Sequence, residues 1–260
     1  MIGTLGPQGT YSHLATLRIT DSIEFYEGVH QIADAVVEGD VDSGVVPIEN
    51  SIEGSVNATL DVLTNYDLYV TSEIIVEVHH ALLSKNTNFD EIASHPQALA
   101  QCRSYINKNY PDVNLRGVSS TAKAVEIARE NEGVAAIAHP DTAGDLNVIA
   151  EDIQDTNTNT TRFVRLSTRP LDSGSEREKT TIIIYPGDDR PGLLYDILEV
   201  FKDRNINLTR IESRPSKREL GDYVFHLDFE NKNVSNVDGV LSEFGEEVEW
   251  VDYLGSYDSL

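Results

Sequence analysis

Residues 68–84 read LYVTSEIIVEVHHALLS, an extended run of apolar and β-branched residues. It is far longer than the roughly five or six residues of an ordinary strand. A run of this length can leave one layer of structure and enter another, and the chain would then return near Thr161. Two lobes joined by a pair of crossing segments, with a cleft between them, are the expected outcome.

The flanking sequence supports lobes of α/β construction. MIGTL, IEFYE, SGVVPI, EIAS, LRGVS and GVAAIA read as further strands, and helices are expected to start near Thr10, Ser55, Ser94 and Ser120. Alternation of strand and helix predicts largely parallel sheets. Residues 169–179, RPLDSGSEREK, break this pattern and read as a linker. Beyond it come the strand TTIIIYPG, the helix RPGLLYDILEVFKDRN, the strands INLTRIESRP and GDYVFHLDFE, the helix NVDGVLSEFGEEV and a last strand near EWVDYL. That order is a βαββαβ, ferredoxin-like unit. The expected division is 1–170 for the two lobes, the second at about 78–155, then a linker at 171–178 and the C-terminal unit at 179–260.

Charge narrows the function. Among 260 residues, 44 are acidic and 20 basic, giving a net charge of −24. Such a surface repels phosphate backbones and anionic headgroups, so no nucleic acid and no membrane partner is expected. No apolar run approaches a membrane span, and the N-terminus carries no signal-peptide pattern, so a cytoplasmic protein is expected. The acids are dispersed, and only 7 of the basic residues are lysines. This points to a salt-rich cytoplasm, where charges are screened over about 3 Å at 1 M. Cys102 is the only cysteine, which excludes an intrachain disulfide, and ALAQCRSYI places it on a buried helical face.

Four polar segments stand at strand-to-helix junctions: GPQGTYSHLA (6–15), PIENSIEGSVNATLDVL (47–63), SHPQALAQC (94–102) and SSTAKAVEIA (119–128). Thr10 and Ser55 are placed to cap helices, and Ser94 and Gln97 have capping-box spacing. Helix N-termini attract anions, so together these junctions can line a cleft for a negatively charged molecule. A fifth segment, QDTNTNTTRFVR (154–165), offers only hydroxyls and carboxamides from Thr156 to Thr161, then Arg162. The histidines lack metal-ligand spacing, no Walker-type loop occurs, and GPQG lacks the rest of a dinucleotide fingerprint. Neither a metal nor an organic cofactor is expected.

Taken in order, GPQGTYSHLA, VPIENSIEGSV, SHPQALAQC, SSTAKAV and NTTRFVRL closely resemble the prephenate dehydratase family, and RPGLLYDIL with IESRP resembles its regulatory ACT domain. The resemblance covers essentially the whole chain. It implies a two-lobed catalytic domain like a periplasmic binding protein, and conversion of prephenate to phenylpyruvate with loss of carbon dioxide and water; the dispersed acidity adds the expectation of a halophilic prokaryote as its source. It implies a catalytic role for Thr161, with Asn50, Ser94 and Gln101 as companions. Thr10, Tyr11, Glu49, Ser51, Ser120, Thr121 and Arg162 would meet the substrate, although Arg162 serves equally well in a structural ion pair and Glu49 in fixing its loop. His80 matches a family histidine at the crossover, and also reads as a satisfied, partly buried imidazole.

The same resemblance implies a homodimer or homotetramer through the ACT domains, and phenylalanine as an inhibitor bound between two of them. Gly192, Leu193, Leu194, Asn207, Glu212, Ser213, Arg214 and Pro215 would form that site. Leu193 stands where the family usually has alanine, and its bulk would narrow the side-chain pocket. Two other readings fit the sequence. One is a dehydratase that accepts arogenate; the other is a non-catalytic amino-acid sensor built on the same cleft.

Overall fold

The computed structural model describes residues 1–171, 177–187, 190–216, 222–231 and 237–260. The first lobe comprises β1 (Ile2–Leu5), α1 (Tyr11–Leu17), β2 (Ile23–Tyr26), α2 (Val29–Glu38), β3 (Ser43–Asn50), β4 (Gly54–Ser55), α3 (Asn57–Asn65) and β5 (Tyr69–Glu77). The second comprises β6 (Ala81–Ser84), β7 (Glu91–Ser94), α4 (Pro96–Gln101), α5 (Arg103–Asn109), β8 (Asn114–Gly117), α6 (Thr121–Glu130), β9 (Val134–Ala138) and β10 (Asn147–Ala150). The chain then returns through β11 (Thr160–Ser167).

The run 68–84 does cross between lobes, but in two pieces. It leaves strand geometry at Val78–His80, between β5 and β6. Those strands lie in different sheets, ordered β2-β1-β3-β11-β5 and β10-β6-β9-β7-β8. The sheets are mixed rather than largely parallel. β1, β2 and β3 run parallel, as do β7, β8 and β9. The strands that feed or receive the crossings, β5, β6, β10 and β11, pair antiparallel. A chain that returns to its first sheet through the slot between β3 and β5 must run against both.

Helix α2 has no hydroxyl to announce it: its N-cap is Gly28, with no side-chain bond. Its apolar face is what forms it, with Val29, Ile32, Ala33, Ala35 and Val36 all buried. The close packing depends on Gly44 in β3, where a Cβ would stand 2.4 Å from the Ile32 side chain.

The C-terminal unit is β12 (Lys179–Tyr185), α7 (Leu193–Asp203), β13 (Leu208–Pro215), β14 (Tyr223–Glu230), α8 (Val237–Leu241) and β15 (Trp250–Tyr257). Its sheet order, β13-β14-β12-β15, is that of a ferredoxin-like fold. Of the expected linker, residues 172–176 lie outside the described residues. One face of this sheet packs on α7, through Ile182, Ile184, Ile197, Phe201, Leu227 and Phe229. The other face is not free. Ile183, Tyr185, Val224, Leu254 and Tyr257 join one continuous core with Val46, Ile48, Leu60, Val164 and Leu166 of the first lobe. At about 1.5–3 kcal/mol for each fully buried large side chain, this contact is a main source of stability. Gly255 (φ +133°) permits it, since a Cβ there would lie 2.3 Å from the Val70 carbonyl oxygen of β5.

Candidate active site

The fold brings the Asn/Thr loop against the end of β3. Thr161 on β11 faces Asn50 on β3 in register. Asn50 Oδ1 accepts from the backbone amides of Ile52 and Glu53, at 3.0 and 3.1 Å, which fixes the turn after β3. With its oxygen committed, Asn50 turns its amide nitrogen toward β11. Nδ2 donates to Thr161 Oγ1 and to Asn159 Oδ1, each at 2.9 Å, and lies 3.2 Å from the Thr160 carbonyl. Since Asn50 is the donor, the hydroxyl hydrogen of Thr161 is left for another acceptor.

The row continues into the second lobe. Asn159 Nδ2 donates to Gln101 Oε1 at 3.3 Å, and His80 Nε2 donates to the same oxygen at 2.9 Å. The His80 amide donates to Gln154 Oε1 at 2.9 Å. Tyr11 OH donates to the His79 carbonyl at 2.6 Å, and its ring meets His139 edge-on at 5.7 Å. Both crossing segments, 78–80 and 151–159, therefore contribute to one chain of contacts between the lobes. The lobes also meet at the GPQG turn: a Cβ on Gly9 would stand 3.4 Å from Thr142 and 3.7 Å from Ala122 in the first turn of α6.

Electrostatically this row is neutral. Burial lowers the imidazoles of His80 and His139 below their ordinary range, so neither is charged at neutral pH. Burial likewise raises the Tyr11 phenol and pushes the Cys102 thiol up to about 12. Cys102 is fully buried, as its apolar surroundings in the sequence indicated. Charge stands only at the rim, where His79 bridges Asp152 at 2.7 Å and Glu77 at 3.1 Å. Among the described residues, no three His, Cys, Asp or Glu side chains converge as a metal site would require.

The structure gathers Thr161, Asn50 and Gln101 into this row, with Tyr11 beside it. Ser51 braces it from outside, donating to the Thr158 carbonyl at 3.1 Å and accepting from the Thr160 amide at 3.0 Å. Thr10 caps α1, and Ser120 caps the helix that Thr121 begins, both as the cap pattern predicts. Two expected caps are corrected. Helix α3 starts after Val56, because Ser55 belongs to β4 and donates to Glu212. Helix α4 is capped by His95, because Ser94 ends β7. The Ser94 hydroxyl, fully buried, donates to the Ile137 carbonyl at 2.6 Å and ties β7 to β9.

Arg162 takes the ion-pair alternative. Its side chain leaves β11 on the face opposite Thr161 and is 9% exposed. It donates to Glu73 at 2.7 Å, to Asp228 of β14 at 2.5 Å and to Tyr257 of β15 at 2.8 Å. Burial works against its charge, but Asp228, Tyr257 and Glu73 together outweigh that and keep it ionised. Glu49 follows Arg162, 3.7 Å away, and so faces away from Asn50.

In the C-terminal unit Gly192 starts α7 with φ +90°, and Asn207 is exposed just before β13. Leu193 is 6% exposed and packs into the unit's own core, so its bulk does not narrow an outer pocket; Leu194 is the exposed residue of that pair. Along β13 the side chains alternate. Ser213 and Pro215 are exposed, whereas Glu212 accepts from Ser55 at 2.9 Å and Arg214 donates to Asp61 of α3 at 2.8 Å.

Asn159 and Gln154 lie outside the site residues that the sequence singles out, and His80, for which the sequence allows two readings, takes part in the row. For Asn159 a signal existed: it precedes Thr161 by two, and residues two apart on an extended segment share a face. Gln154 had none, because only the folded crossing brings it to His80.

A two-lobed α/β domain whose lobes meet across a neutral row of hydroxyl, amide and imidazole groups, packed on a ferredoxin-like module, is the class this geometry defines. A family model described as prephenate dehydratase matches residues 2–171, and one described as ACT domain matches residues 181–246. The chain is 42% identical to the bifunctional chorismate mutase/prephenate dehydratase of Aquifex aeolicus, across 98% of this chain and 73% of that protein. It is 40% identical to the prephenate dehydratase of Methanocaldococcus jannaschii, across 96% and 95%. The crystal structure of a prephenate dehydratase from Arthrobacter aurescens in complex with L-Phe superposes with a TM-score of 0.88 at 34% identity, covering 99% of this chain and 89% of that one. The chain belongs to the prephenate dehydratase family, with a C-terminal ACT domain.

Proposed function

We propose that the row from Thr161 to Gln101 converts prephenate to phenylpyruvate by easing departure of the ring hydroxyl. One observation carries this reading: Thr161 accepts from Asn50, so its own hydrogen can be directed at a leaving oxygen. In the reaction, the electron pair of the bond to the ring carboxylate moves into the ring and carbon dioxide departs. The ring oxygen leaves with its electron pair and, with one proton taken up overall, becomes water. A donor aimed at that oxygen stabilises the charge that develops there. The surrounding amides suit a dianionic substrate, because a carboxylate in their place would repel it. Gln101 and Asn159 hold the two lobes in register around it, and the Ser120-capped first turn of α6 supplies backbone donors.

Phenylalanine is the regulatory ligand in this reading. The ACT domain and the L-Phe complex of the Arthrobacter aurescens relative support it. The β13 edge, with Ser213 and Pro215 outward, is where two ACT domains would join as a dimer or tetramer. The dispersed charge of −24 supports a salt-rich cytoplasm as the setting. Prephenate and arogenate, supplied separately with phenylpyruvate and phenylalanine followed as products, test the assignment. Turnover of prephenate alone is expected. Turnover of arogenate alone transfers the same chemistry to the aminated substrate, and turnover of neither supports the sensor.

A further inference from the structure

The residue next to Thr161 is held by the ACT domain. Three groups from three strands grip the Arg162 guanidinium: Glu73 of β5, Asp228 of β14 and Tyr257 of β15. Each partner is fixed in turn. Asp228 is fully buried; its Oδ2 also accepts from Arg210 at 2.9 Å and its Oδ1 from Thr181 at 2.8 Å. Because Thr181 donates its hydrogen to Asp228, the 2.6 Å contact between Thr181 and Tyr257 has the phenol as donor. A closed circuit results, from Arg162 to Tyr257, to Thr181, to Asp228 and back to Arg162. Lys179, at 2.7 Å, completes the charge balance on Glu73.

This circuit bears directly on the reaction. Successive side chains of a strand point to opposite faces, so pinning Arg162 on one face sets the angle at which Thr161 leaves the other. On the β3 side of β11 the register slips at this point, because Ile48 of β3 is left without a partner between Glu49 and Pro47. On its other side β11 pairs with β5 without a break from Thr160 to Arg165. The Arg162 circuit thus adds a side-chain anchor where one of the two flanking ladders is interrupted.

We infer that Asp228, an ACT-domain residue bonded to Arg162, is a positioning residue for catalysis, acting through Arg162 on the orientation of Thr161. This rests on the catalytic role proposed for Thr161.

The test is a double-mutant cycle in the full chain, reading kcat and KM for prephenate. Asp228→Asn keeps the shape and one acceptor oxygen but removes the charge. It is expected to lower kcat by about 10- to 100-fold, the scale of a misplaced catalytic group, with KM within about twofold. In a Thr161→Ala background, Asp228→Asn is expected to add almost nothing, because the group it positions is gone. Tyr257→Phe loses two bonds of the circuit, those to Arg162 and Thr181, without removing a charge. It is expected to give a smaller kcat loss with the same non-additivity, and it serves if Asp228→Asn does not fold. Equal proportional losses in both backgrounds, or an unchanged kcat in a folded Asp228→Asn or Tyr257→Phe protein, overturn the inference. Full activity in Thr161→Ala alone instead overturns the catalytic assignment itself.

Discussion

Asn50 Nδ2 donates to Thr161 Oγ1 across 2.9 Å, and the two residues are register partners on β3 and β11. The direction of that bond matters more than its length. It makes Thr161 an acceptor within the protein and leaves its hydrogen for a further acceptor, which the proposed mechanism takes to be the substrate.

Thr161→Ala is therefore expected to lower kcat by about 10²–10³, the usual cost of one transition-state donor, with the circular dichroism spectrum unchanged. Thr161→Ser should keep part of the rate, since the hydroxyl remains but loses the rotamer stiffness of a β-branched side chain. A folded alanine variant with near-normal turnover would remove Thr161 from the mechanism.

Acid should weaken the fold through His226. Its imidazole is fully buried at the domain contact, and burial, reinforced by Arg210, pushes it down to about 3. The unfolded chain takes up a proton near pH 6.5 while the native chain does not. The contribution is thus present above pH 6.5 and is lost as pH falls toward 3, by about 2 kcal/mol between pH 7 and 5. Denaturant melts of wild type and His226→Leu at both pH values check this. The expected result is a shallower pH dependence in the variant; parallel curves would contradict it.

Salt should stabilise the protein. A net charge of −24 repels itself at low ionic strength, and screening relieves that cost. Thermal midpoints are expected to climb from low salt toward 1 M. A flat or falling series would argue against the saline setting.

Phenylalanine should inhibit prephenate turnover, and Gly192→Val should blunt the inhibition while sparing kcat in its absence. Gly192 begins α7 at φ +90°, a conformation that a β-branched residue resists. Inhibition curves for the two proteins that superpose would place the effector elsewhere.

Much of this architecture is legible in the sequence because it is local. The crossing run at 68–84, the caps at Thr10 and Ser120 and the βαββαβ order are all set by residues within a few positions of one another. Helix α2 was missed because it has a glycine where a hydroxyl cap would have marked its start. Ser94 matched a cap by spacing, but the hydrogen bond from β7 to the Ile137 carbonyl claimed its hydroxyl. The partners of Arg162 could not be read at all. Glu73, Asp228 and Tyr257 come from three separate strands, and no periodicity links an arginine to a carboxylate that far along the chain.

The core that runs without a break from Val46 and Leu166 to Ile183 and Val224 limits how the ACT domain can be exchanged. A sensor attached only by a tether can be swapped for one that answers another amino acid, with its host left unchanged. Here the incoming module would have to match the buried face of β12, β14 and β15, carry a carboxylate for Arg162, and place a glycine against Val70. If the effector sits where proposed, respecifying it is thus a matter of altering the outward face of β13 and the start of α7. Grafting a whole foreign domain would leave a buried arginine with Glu73 alone of its three-sided grip.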